Sequence, residues 1–281
     1  MDSVSKIIAL ARQHYQAGRL AKAETLYRQI LQQQPQQLEA LSILGMLAYK
    51  QGKLLPACTY YQKLVTLEPD NPDYHNNLGI VFKKLGKLDD AITHYQQALG
   101  IKPKEAQFHH NLGKALVAKG DEKQGIQHFR RAIALQPNYA KAYISLGNLY
   151  QQQGNFEQAI TYLERALTLK PDSYKLHNDL SVIFKEQGNK NAALSYIQKA
   201  VNLQPKSAQL RNNLGTNLLD QGLLDEAKTE FLEAISLQPS LVPAYLNLGN
   251  VLVKQGAINS AIHYLQKPSN LTPTPPKPTI N

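Results

Sequence analysis

The fold is decided by the stretch Asn71-Pro72-Asp73-Tyr74-His75-Asn76-Asn77-Leu78-Gly79-Ile80-Val81-Phe82-Lys83-Lys84-Leu85-Gly86. Pro72 suits a first helical turn, where its missing N–H is no loss, and Asn71 before it has the side chain of an N-cap. Leu78, Phe82 and Leu85 then recur at spacings of four and three, an amphipathic stripe. Gly86 can take the left-handed conformation that ends a helix without Cβ strain. A second stripe runs through Ala91, Tyr95 and Ala98 to Ile101, and Pro103 stops it. The segment reads as a helix, a tight turn, a second helix and a proline stop.

Working outward, the same punctuation recurs every 34 residues: prolines at Pro35, Pro69, Pro103, Pro137, Pro171, Pro205, Pro239 and Pro273. Glycines keep the interval from Gly18 through Gly52 and Gly86 to Gly256, and leucines keep it from Leu10 through Leu44 and Leu78 to Leu248. Eight units follow, at 4–37, 38–71, 72–105, 106–139, 140–173, 174–207, 208–241 and 242–275, the last degenerate, with a short Pro-rich end at 276–281. The expected fold class is all-α, a repeat array rather than a globule around one core.

Small residues fall where two helices must approach. Gly45, Gly79, Gly113, Gly147, Gly215 and Gly249 follow the repeated leucine, with Ala11 and Ser181 in the other units. The second helix has Ala at the matching place, from Ala23 to Ala261, except for Gly125 in the fourth unit. Four residues on stands a large residue: Tyr27, Tyr61, Tyr95, Phe129, Leu163, Ile197, Phe231 or Leu265. Holes alternate with knobs. A helical glycine costs about 0.5–1 kcal/mol against alanine, so its recurrence points to packing distance.

On these residues the unit resembles the tetratricopeptide repeat (TPR), with its Leu-Gly, later Gly, Ala, aromatic, Ala and Pro pattern. The usual first-helix tryptophan is replaced by Ile7, Leu41, His75, His109, Tyr143, His177, Arg211 and Tyr245. The resemblance implies a right-handed superhelix of antiparallel helix pairs (an α-solenoid), with first helices lining a concave groove that binds peptides or partner proteins. Its inner positions would be about two, five, six, nine, twelve and thirteen of each unit. They hold Asn76, Asn77, His110, Asn111, Lys114, Asn148, Gln151, Asn178, Asp179, Lys185, Asn212, Asn213, Asn247 and Asn250. A carboxamide offers two donors and an acceptor, so a spaced row of them suits the backbone of an extended peptide whatever its side chains.

The row is similar to the asparagine ladder of the O-linked N-acetylglucosamine transferases, in which Asn precedes the Leu-Gly pair. Asn77, Asn111, Asn213 and Asn247 match, whereas Ala9, Ile43, Ser145 and Asp179 depart. The stretch Ala11 to Leu20 also looks like the opening of bacterial TPR glycosyltransferases. An alternative function is therefore the substrate-recognition portion of a protein O-glycosyltransferase whose catalytic part is absent or encoded separately. The Lys and Asn pattern of chaperone-tail-binding TPR domains is missing, since no unit has Lys at its fifth position.

Composition bounds the other classes. Of 281 residues, 43% are hydrophobic and 19% charged, with 31 Lys plus Arg against 21 Asp plus Glu, a net charge of +10. That balance favours acidic partners, but the densest groups, Lys83-Lys84-Lys87 and Arg130-Arg131, fall short of a basic block. The tyrosines mostly occupy packing positions, so nucleic acid is the disfavoured partner. One cysteine, Cys58, excludes an internal disulfide and reads as a small buried residue. No membrane span and no signal-peptide core appear, and a cytoplasmic protein is expected.

Asp89-Asp90 and Asp225-Glu226 fall in the first turn of second helices, where negative charge favours the helix dipole. His75, His109 and His177, with His94 and His128, read as repeated packing sites without metal-ligand spacing. No catalytic residue, metal site or cofactor is expected, and the chain reads as a non-catalytic interaction scaffold. At the C-terminal end Pro268 replaces the recurring alanine and should break the last helix. With no capping helix after it, Val251, Leu252 and Leu265 should lie near an open end available for self-association or a partner.

Overall fold

The computed structural model describes residues 3–267; Pro268 and the proline-rich end lie outside the described residues. Among the described residues it consists of sixteen helices. They pair as α1 (Ser3–Gln16) with α2 (Leu20–Gln33), α3 (Leu38–Lys50) with α4 (Leu54–Leu67), α5 (Pro72–Lys84) with α6 (Leu88–Ile101), and α7 (Ala106–Lys119) with α8 (Glu122–Leu135). The series continues with α9 (Ala140–Gln152), α10 (Phe156–Leu169), α11 (Tyr174–Glu186), α12 (Lys190–Leu203), α13 (Ala208–Asp220), α14 (Leu224–Leu237), α15 (Val242–Lys254) and α16 (Ile258–Gln266). Seven second helices end two residues before a repeat proline, as α6 does before Pro103. The chain divides into two compact units, Met1–Ser145 and Leu146–Asn281.

Local chemistry explains the punctuation. Pro72 sits in the first turn of α5 and the Asn71 side chain accepts from the Asp73 N–H at 3.2 Å. Gln37, Asp121, Asn155, Ser173, Asn189 and Ser207 cap other helices in the same way. All eight turn glycines have positive φ, from 70° at Gly18 to 100° at Gly120, and no other residue type does among the described residues. At Gly86 the Lys87 N–H donates to the Phe82 carbonyl at 3.0 Å, closing the helix as the αL residue allows.

Within the first unit, α2 packs on α3, α4 on α5 and α6 on α7, so each helix pair covers the next. Its largest core joins Leu41, Tyr61, Leu78, Phe82, Tyr95 and Leu112. Within the second unit, α10 packs on α11, α12 on α13 and α14 on α15, around Ile197, Leu214, Phe231, Leu248 and Val251. Seven of the eight repeated leucines are buried, but Leu10 is 44% exposed.

The knob-and-hole reading holds at atomic level. A Cβ on Gly79 would stand 2.7 Å from the Tyr95 ring, and one on Gly215 2.6 Å from the Phe231 ring. Ser181 takes the glycine position in the sixth unit by donating its hydroxyl to the Ala193 carbonyl across the pair at 2.8 Å. Gly125 replaces alanine because Val117 fills its place, with Cγ2 at 2.4 Å from where a Cβ would be.

Of the three residues expected near an open end, Leu265 is 40% exposed, but Val251 and Leu252 are not. Val251 is 0% and Leu252 3% exposed, because both face inward to the core formed with α14 and α16. The apolar residues that do reach the surface of the last pair are Leu246, Val253, Ile258, Ile262 and Leu265. The break expected at Pro268 falls outside the described residues.

Candidate functional site

The first helices position the amides picked out from the sequence, and the structure sorts them into two rows. Residues six into a unit are half-buried: Asn77, Asn111, Asp179, Asn213 and Asn247. Residues five into a unit lie deeper, with Asn76 at 2% and Asn212 at 4% exposure, while Asn178 is half-buried. Lys114, Asn148 and Asn250, nine into their units, are exposed.

The two rows are bonded across neighbouring helix pairs. Asn111 donates to the Asn76 Oδ1 at 2.8 Å, Asn213 to Asn178 at 2.8 Å, and Asn247 to Asn212 at 3.0 Å. Each bond joins residues 35 apart, one more than the repeat period. His110 and Ser145 make the same rung in other chemistry, Nε2 to Oγ at 3.0 Å. Ser145, a departure from the ladder by residue type, therefore occupies a rung by geometry. The signal was present in the sequence as polar residues at a spacing of 35 against a period of 34.

The rungs fix one N–H of each donor amide and leave the rest of its capacity. Asn111 and Asn247 have no second side-chain partner among the described residues, and Asn77 has none at all. Asn213 also accepts from Gln209 at 3.1 Å, while the Asn217 side chain donates to the Asn213 carbonyl at 2.8 Å. Asp179 is held above the ordinary carboxylate range by burial, partly opposed by its bond with Asn178. Asn178, Ser181, Lys185, Asn213, Thr216 and Asn217 line an open cleft of about 410 Å³ in the second unit.

The residues standing in for the missing tryptophan share one role that the sequence did not reveal. His75, His109 and His177 bond the carbonyls of Pro69, Pro103 and Pro171 through Nε2 at 2.8, 3.0 and 3.1 Å. Tyr143 donates its hydroxyl to the Pro137 carbonyl, and Arg211 its Nε to that of Pro205. Five different units thereby tie the start of the first helix to the proline stop before it. His75 and His109 also meet His94 and His128 through their Nδ1 atoms at 3.1 and 3.0 Å. With Nε2 donating to a carbonyl, Nδ1 of the first ring is the acceptor and its partner donates.

Titratable groups in the cores are shifted chiefly by burial. Desolvation pushes the Cys58 thiol up and His94, His109, His128 and His177 down. Asp89, Asp90, Asp225 and Glu226 occupy the first turns of α6 and α14, as the dipole argument required. Among the described residues no group of three or more His, Cys, Asp or Glu side chains could hold a metal ion. No helix among them is long and apolar enough to cross a membrane.

Comparison with known proteins places the array. Residues 37–240 match the family model described as the Cilia and flagella-associated protein 70 C-terminal domain. Tetratricopeptide repeat models match residues 8–29 and 242–273. No curated protein matches. Among solved structures, YrrB, described as a TPR protein with an unusual peptide-binding site, superposes with a TM-score of 0.55 at 23% identity, over 64% of this chain and 92% of its own. A MamA structure gives 0.53 at 26% identity, over 58% and 95%. The C-terminal part of a TPR repeat-containing protein from Cytophaga hutchinsonii gives 0.69 at 17% identity, over 83% and 95%.

Proposed function

The chain belongs to the tetratricopeptide-repeat family, a protein-interaction scaffold by fold, and from that premise we propose that it holds extended peptide segments of client proteins along its asparagine rungs, without catalysing a reaction. The observation that carries this is the pinned amide. Asn111, Asn213 and Asn247 each spend one N–H on the preceding helix pair. Their orientation is settled before a ligand arrives, so less conformational freedom is lost on binding. The remaining N–H and carbonyl oxygen match a peptide unit's own acceptor and donor.

Backbone recognition of this kind tolerates many side-chain sequences. YrrB, a TPR protein with an unusual peptide-binding site, supports the same reading by likeness of fold. The alternative role in a protein O-glycosyltransferase rests on the Asn-Leu-Gly motifs and the Ala11 to Leu20 stretch.

The test is peptide affinity after Asn77, Asn111, Asn213 and Asn247 are changed to Ala together, with helicity checked by far-UV circular dichroism. An Asn77→Ala single variant accompanies it, since that side chain has no hydrogen-bond partner among the described residues. Affinity should fall at least tenfold in the quadruple variant and measurably in the single one. Unchanged affinity in a folded quadruple variant would retire the proposal.

A further inference from the structure

Nine residues into the first unit stands Arg12, and two residues into the next stands Glu39; they form a bidentate ion pair, with Nε to Oε1 at 2.7 Å. Glu39 also accepts from the Tyr27 hydroxyl at 3.0 Å. The two residues are 27 apart. The same pair of positions in the fourth and fifth units holds Lys114 and Lys141, so the joint that is an ion pair near the start is a like-charge juxtaposition here.

Two more lysines join them. Lys83 and Lys84 end α5, which packs beside α7, the helix carrying Lys114. Lys83 is half-buried, Lys84, Lys114 and Lys141 are exposed, and none of the four makes an ion pair among the described residues. The acids nearby are spent elsewhere: Glu105 on Lys102 at 2.5 Å and Asp89 on Lys119 at 2.5 Å.

His110 sits among these lysines, bonded to Ser145. Burial first, then Lys114, Lys141 and Lys83, hold its pKa down at about 4. Burial and the charges of Lys114 and Lys84 lower Lys83 as well. Cations gathered at a half-buried place with no counter-charge repel one another, and an anion arriving there relieves that repulsion.

We propose that the face formed by Lys83, Lys84, Lys114 and Lys141 docks an acidic protein segment, one of whose carboxylates bridges Lys114 and Lys141 and supplies the negative charge that Glu39 supplies to Arg12. This rests on the peptide-scaffold reading and adds to it the charge of the segment. Asn77 and the Asn111–Asn76 rung lie on the same helices, so backbone and side-chain recognition fall together. The salt-sensitive part of affinity belongs to the lysines and the salt-insensitive part to the amides.

The experiment uses the full chain and three fluorescent probes: a Glu-rich dodecapeptide, its Gln-rich counterpart, and a single-stranded RNA dodecamer. Fluorescence anisotropy is read for the wild type, for Lys83→Glu/Lys114→Glu, and for Lys63→Glu/Lys123→Glu, a control with the same charge change at exposed residues of α4 and α8. The Glu-rich peptide should bind about tenfold tighter than the Gln-rich one, with the difference abolished in the first variant and kept in the control. Equal affinity for the two peptides overturns the inference while leaving backbone recognition standing. Absence of Gln-rich binding with strong Glu-rich binding does the reverse. Equal losses in both double variants, or RNA binding tighter than the Glu-rich peptide through the same lysines, also overturns it.

Discussion

Replacing Gly113 with alanine tests the packing argument most directly. The new Cβ would stand 2.7 and 2.8 Å from Cε1 and Cδ1 of Phe129 and 3.1 Å from the Gly125 carbonyl oxygen. The ring is 2% exposed and closes the core between α7 and α8, so it must shift to restore ordinary contact. Overpacking of this kind costs about 1–3 kcal/mol. The gain in helix propensity returns about 0.5–1 kcal/mol, for a net destabilisation of about 0–2.5 kcal/mol. Gly100, also helical, has nothing within 4 Å of its would-be Cβ, so Gly100→Ala should instead stabilise by about 0.5–1 kcal/mol. The sixth unit, with Ser181 facing Ile197, shows how a Cβ is accommodated. Adding Phe129→Ile to Gly113→Ala should therefore cost less than the two single changes summed, by about 1 kcal/mol. Urea unfolding followed by circular dichroism, with m-values compared, measures the four variants against the wild type. A stabilising Gly113→Ala, equal to Gly100→Ala, would refute the claim that glycine recurs here for close approach.

Three further outcomes are expected. The Tyr95 hydroxyl is buried without a partner among the described residues, whereas that of Tyr27 bonds Glu39. Tyr95→Phe should raise stability by about 1 kcal/mol and Tyr27→Phe lower it by a similar amount, read from denaturation midpoints. Asn111→Ala strips the buried Asn76 oxygen of its donor and should cost about 1–3 kcal/mol, while Asn250→Ala, on an exposed residue, should stay within about 0.5 kcal/mol. For pH, His110 has its folded pKa lowered from 6.5 to about 4, so the unfolded chain takes up the proton first. Its contribution is complete above pH 6.5 and is lost progressively as pH falls toward 4, by roughly 3 kcal/mol. Thermal melts at neutral pH and at the bottom of that window should show His110→Gln losing less stability on acidification than the wild type, and an equal loss would remove His110 from the account.

The acid sensitivity should also draw on His94, His109, His128 and His177, all lowered chiefly by burial. Their placement shows where sequence reading stopped. It assigned His75, His109 and His177 to packing, which is where they lie. That each also bonds the proline carbonyl of the preceding stop was not legible, because residues as different as Tyr143 and Arg211 meet the same requirement. A hydrogen-bond acceptor constrains geometry and donor capacity, not residue type. Leu10 marks the other boundary: it is 44% exposed while Leu44, Leu78 and Leu248 at the same repeat position are buried, and residue type alone does not distinguish them.

Periodicity alone determined the helix pairs, their turns and their contact surfaces. The interval of Pro, Gly, Leu and small residues acts through local physics: proline stops, left-handed glycines and helical stripes work within a few residues of themselves. Only the tertiary structure decided which amides are buried acceptors and which remain free. It likewise decided that a serine or a histidine can serve as a rung. Those roles arise between residues 35 apart, where stacking, not chain neighbourhood, brings side chains within hydrogen-bond reach.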